Sequence, residues 1–160
     1  MSDPDPSPEE HPMPPTARTA AAWLAAAAPD PRAFLRSWER TGRRPAPLPA
    51  GRQWDAVLTP GPFGRTALDA LARLPGPGPV LQDRAAGTVA FLVPTGTADG
   101  WLGSGIRTLG HGTALTVPHP DGTDRSLHWL IPPDGTGRLV DPRRLELALH
   151  DAAARLIGLP

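Results

Sequence analysis

Prolines partition this chain before any other feature does. There are 23 in 160 residues, and where they cluster neither a helix nor a central strand can run through. The densest cluster comes first: residues 1–15 (MSDPDPSPEEHPMPP) hold Pro4, Pro6, Pro8, Pro12, Pro14 and Pro15 and almost nothing apolar. Such a segment buries too little surface to offset the entropy of ordering it, and a disordered tail is expected. Pro29 and the run PGPGP at 75–79 make two further breaks.

Between these breaks the apolar spacing defines elements. Thr16 is placed to cap a first helix over 16–28, with Ala20, Trp23, Leu24 and Ala27 on one face. Asp30-Pro31 is a second start signal, an N-cap carboxylate followed by a proline where no amide is missed; Phe34, Leu35 and Trp38 give that helix its apolar side. The helical segment therefore covers 16–41. Residues 42–52 have no regular period and read as a linker, and the compact domain is expected over 53–160. Within it, strands are expected at 54–58, 79–82 and 88–93, with Val89, Phe91 and Val93 on one face of the last. A helix over 64–74 groups Ala67, Leu68, Leu71 and Leu74, and a looser stretch at 97–102 buries Trp101. Strands at 106–109, 113–117 and 127–131 suggest an antiparallel meander. Asp141-Pro142 opens a closing helix with Leu145, Ala148, Leu149, Ala152 and Leu156 as its buried stripe. The order gives an α+β class, a mostly antiparallel sheet packed by helices.

Composition removes several kinds of chemistry. There is no cysteine, which excludes disulfides, zinc ribbons and thiol catalysis. Every one of the 16 basic residues is arginine and tyrosine is absent, a bias of the kind high G+C coding produces, so a single arginine says less than usual about phosphate contact. The formal net charge is zero, without the global positive field that draws a protein to nucleic acid. Its distribution is uneven: Asp3, Asp5, Glu9 and Glu10 stand together, and Arg32, Arg36, Arg40, Arg43, Arg44 and Arg52 face Glu39 alone within 32–52. Residues 1–52 are thus a candidate docking region for a protein partner. No apolar run reaches the roughly 20 residues of a membrane span. The stretch AAAWLAAAA follows an acidic segment, unlike an export signal, and a cytoplasmic location is expected.

The usual catalytic patterns are missing. Gly103-Ser104-Gly105 lacks the spacing of a nucleophile elbow and precedes a strand. The glycine-rich stretch at 103–110 is followed by no helix that could present its N-terminus to phosphate. His111, His119 and His128, with Asp121 and Asp124, do not have the spacing of a metal site, and the aspartates fit turns. No cofactor is implied.

Four segments in order, WDAVLTPGPFGRTALDAL (54–71), GTVAFLVPTGTA (87–98), GSGIRTLGHGTALTVPHPDG (103–122) and LHWLIPPDG (127–135), resemble the N-terminal domain of bifunctional DNA primase/polymerases of the archaeo-eukaryotic primase group. The resemblance covers roughly 50–157 and is most specific over 105–118. It implies metal-dependent nucleotidyl transfer, with carboxylates holding the ions. At the matching positions this chain has Val57 and Thr59 in place of two aspartates, Thr88 in place of a histidine, and Arg107 in place of a further aspartate. Asp55 could supply one carboxylate, too few for octahedral magnesium. Arg107 would repel a cation and suit a phosphate or an acidic side chain. The resemblance therefore implies a degenerate, non-catalytic domain without catalytic or metal-ligating residues. It would bind nucleotide, nucleic acid or an acidic partner through Arg107, His111, His128 and Asp55. The alternatives are an interaction scaffold with no nucleotide role, or an active polymerase with an atypical site.

Overall fold

The computed structural model describes residues 15–101, 106–122 and 124–157. The expected tail up to residue 14 and the Gly103-Ser104-Gly105 segment lie outside them. Five helices and seven strands are present among the described residues: α1 (Pro15–Ala25), α2 (Pro31–Arg40), β1 (Ala46–Pro49), β2 (Asp55–Pro60), α3 (Gly61–Leu71), β3 (Val80–Asp83), β4 (Thr88–Val93), α4 (Thr97–Gly100), β5 (Arg107–Leu109), β6 (Ala114–Val117), β7 (Leu127–Ile131) and α5 (Pro142–Ile157). The class is α+β, and every strand pair is antiparallel.

The start signals work as the sequence suggests at two helices. The Asp30 carboxylate accepts from the Ala33 amide at 3.1 Å at the head of α2. The Asp141 carboxylate accepts from the Arg143 and Arg144 amides at 2.9 and 3.1 Å at the head of α5. Helix α1 begins at Pro15, so Thr16 lies inside it instead of capping it.

Two sheets form. A five-stranded sheet runs β5-β2-β4-β3-β7, and a separate two-stranded sheet pairs β1 with β6. The expected meander of the last three strands does not occur: β5 joins β2, β6 joins β1 and β7 joins β3. Residues 42–52 are also not simply a linker, because Ala46–Pro49 is a strand whose Leu48 is fully buried.

Alternation along the strands gives the large sheet two unlike faces. Val57, Val80, Val89, Phe91 and Val93 point toward α3 and α5, where they meet Ala67, Leu71, Leu145, Ala148, Leu149 and Ala152. Leu156, expected in that stripe, is 53 % exposed. On the other face Ala56, Leu81, Ala90, Leu92, Leu109 and Leu127 pack with α1, α2 and the small sheet, through Leu24, Trp38, Leu48 and Val117. The N-terminal helices thus share a core with the strands that follow Gln53. No helix among the described residues is long and apolar enough to cross a membrane.

Candidate functional site

The four residues singled out by the sequence do not converge. Asp55 and Arg107 are in neighbouring strands but on opposite faces. Asp55 shares the helix-covered face with Val57 and Thr59, two and four residues on, whereas Arg107 is the cross-strand partner of Leu58 on the other face. His128 sits in β7, the opposite edge strand from the β5 of Arg107. Four strand spacings put these two backbones about 19 Å apart. His111 lies in the turn after β5 with an exposed side chain. Its backbone is pressed against Gly51, where a Cβ would come within 2.5 Å of the His111 Cα, and the φ of +88° at Gly51 is glycine's own.

Asp55 is an internal anchor. It is 2 % exposed, and its Oδ2 accepts from the amides of Gly96 at 2.9 Å and Ala98 at 3.0 Å, so one carboxylate oxygen holds the turn that opens α4. Gly110 lies directly above; a Cβ there would be 3.1 Å from the Ala98 Cβ and 3.8 Å from Asp55 Oδ2. The Oδ1 atom is buried with no hydrogen-bond partner among the described residues.

The positions where the resemblance expects acids are similarly divided. Val57 and Thr59 are 0 % and 1 % exposed beneath the helices, and the Thr59 hydroxyl donates to the Val89 carbonyl at 3.4 Å. Thr88 and Arg107 belong to the other face. Among the described residues no three His, Asp or Glu side chains come together in a group able to hold a metal ion.

What the second face does provide is a groove of about 230 Å³ between the large sheet and β6. Its floor is a lateral row, Leu58, Ala90 and Leu81, continued by Thr88 and Asp83. Ala114, Leu115 and Thr116 of β6 form one wall, and Leu109 and Leu127 close the sides. Arg107 stands exposed at one end, with no ion pair to any described carboxylate. Asp83 stands at the other, three strand spacings across and two residues along, about 16 Å away between backbones. Its Oδ1 accepts from the Ala86 amide at 3.0 Å and so serves the β3–β4 turn. An exposed guanidinium over an apolar floor with two hydroxyls can take one anionic group attached to an apolar or planar body.

His119, read from the sequence as one of three histidines without metal-site spacing, is a core residue. It is 2 % exposed, edge-on to Trp38 at 4.7 Å between ring centroids, and its Nδ1 accepts from the Asp121 amide at 3.0 Å. The proton of the neutral ring is then on Nε2. Burial, and secondarily Arg43, hold its pKa below the ordinary value of 6.5; Asp121 and Glu39 oppose that shift. Arg43 bridges the same carboxylates, 3.6 Å from Glu39 and 3.6 Å from Asp121. Nothing beside His119 in the sequence signals the contact with Trp38, which lies 81 residues (119 − 38) before it. Compared with family models, with curated proteins and with solved structures, the chain matches none.

Proposed function

We propose that this chain is a non-catalytic binding domain that seats a nucleotide-sized anion in the groove beside Arg107. The observation that carries the reading is the Arg107 guanidinium, exposed at one end of a largely apolar groove and without an ion pair among the described residues. The primase/polymerase-like resemblance supports a nucleotide as the ligand class. Burial of Val57 and Thr59 on the opposite face argues against a retained polymerase centre, since carboxylates at those positions could not meet Arg107's side of the sheet. Among the described residues lining the groove Arg107 is the one cation, and with a neutral chain this favours a mononucleotide over a polynucleotide, whose binding draws on several cations at once. The relevant species is a phosphate monoester held by the guanidinium, with the base or sugar over Leu58, Ala90 and Leu81.

Calorimetric titration with nucleoside mono- and triphosphates and with a short single-stranded oligonucleotide tests this. Expected are binding of the mononucleotide with weak salt dependence and a roughly tenfold to hundredfold loss on Arg107→Ala, the size of one charge-assisted contact. Binding that survives Arg107→Ala unchanged, or is absent from the start, contradicts it. No magnesium-dependent incorporation on a primed template is expected.

A second reading, docking of an acidic protein partner, is favoured by α2. Arg32, Arg36 and Arg40 recur every fourth residue, all exposed, on one side of that helix. Replacing the three with alanine would abolish such docking and leave nucleotide titrations unchanged.

A further inference from the structure

Among the described residues the exposed large apolar side chains are Leu74, Leu147, Leu156 and Ile157, at 38, 70, 53 and 71 %, and all four belong to the α3–α5 layer. None lies on the groove side of the molecule. Of these, Leu74 and Leu147 border a common surface, whereas Leu156, nine residues or about 180° past Leu147, points to the other side of α5. Between the two helices runs a second groove of about 250 Å³ floored by Ala70, Leu71, Leu74 and Ala148, with Leu147 standing at its rim. Arg144 and Asp151 flank Leu147 on the same side of α5, three residues before it and four after.

We infer that a second copy of this chain occupies this surface, with α5 packed antiparallel on α5 about a two-fold axis near Leu147. The occupant follows from the charge pattern. In an antiparallel helix pair centred between Leu147 and Ala148, residue 144 of one copy faces residue 151 of the other, and the reverse contact forms by symmetry. A cation before the centre and an anion after it are therefore self-complementary, as an isologous interface requires. Arg144 has no ion pair among the described residues, and Asp151 meets only Arg155, at 3.1 Å in an exposed pair, which leaves a carboxylate oxygen for a second guanidinium. Leu147 supplies the apolar knob, and the space beside Leu74 and Ala70 is the matching hole on the partner copy. A mononucleotide or a membrane would not use such a surface: it offers two signs of charge in two-fold register. The dimer would leave both Arg107 grooves facing outward, so the inference is independent of the ligand proposed for them.

Sedimentation velocity of the full chain over a concentration series, with circular dichroism as a check on folding, tests the inference. The wild type is expected to reach a dimer plateau. Leu147→Arg and Arg144→Glu are each expected to shift the dissociation constant upward by at least tenfold while keeping the fold. The double variant Arg144→Glu/Asp151→Arg, which exchanges the two signs, is expected to recover the dimer. A monomer at every concentration overturns the inference. So does a dimer indifferent to Leu147→Arg, growth beyond a dimer without a plateau, or failure of the double variant to recover what Arg144→Glu loses.

Discussion

Removing the Asp55 carboxylate would leave two amides, those of Gly96 and Ala98, without their acceptor at once. Asp55→Ala is therefore expected to lower stability by about 2–3 kcal/mol, whereas Asp55→Asn, which keeps an acceptor oxygen, should lose less. Because Asp55 faces away from the Arg107 groove, neither variant that still folds should change nucleotide affinity; urea denaturation and the same titration check both halves. His119 gives a pH dependence with a definite sign. Its folded pKa lies below 6.5, so above that value the ring is neutral in both states and its stabilising contribution is complete. As pH falls through 6.5 the unfolded chain takes up the proton first, and stability declines from there down to the lowered folded pKa. The decline should be visible in the urea midpoint and smaller in His119→Gln; an unchanged slope would assign it to other groups. At this scale the sequence offered residue types but not directions. Asp55 and Arg107 looked like one site because strand periodicity fixes a side chain's face only relative to its own strand, and the register with β5 decides the rest.

Strand β1 shows why an element can be invisible in sequence and central in structure. Its four residues include Pro47 and Pro49, which read as loop. In the antiparallel pairing with β6, Ala46, Leu48 and then Ala50 turn their backbone groups inward, and the Ala50 amide donates to the Thr113 carbonyl at 2.9 Å. Both prolines fall on the alternate positions, where the missing amide faces away from the partner. Leu48 is completely buried with Trp54, Leu92 and Val117, so Leu48→Ala is expected to cost about 2–5 kcal/mol. A true linker would lose a few tenths, and equilibrium unfolding separates the two. The well-marked elements were legible. β4 and β7 coincide with the expected 88–93 and 127–131, because alternating apolar residues are bounded there by turn formers. Helices α2 and α5 start where Asp-Pro places them. Partner choice among the last three strands was not legible, since nothing in β6 distinguishes pairing with β1 from pairing with a sequential neighbour.

At the scale of the whole molecule, one sheet separates two unlike surfaces. Helices α3 and α5 close one face and carry the exposed leucines; α1, α2 and the β1–β6 sheet cover the other incompletely, leaving the Arg107 groove. The α+β class could be read from the order of elements, but the sharing of one core by the N-terminal helices and the later strands could not, because it depends on Trp38 and Leu24 meeting Trp54 and Leu92 across long sequence separations. Ligand binding at that incompletely covered face is tested most directly by an amide chemical-shift titration of the full chain with a nucleoside monophosphate. Saturable shifts confined to Thr88–Ala90, Arg107–Leu109 and Ala114–Thr116, and lost in Arg107→Ala, are the predicted result. Shifts centred elsewhere, or none at millimolar ligand, would contradict it.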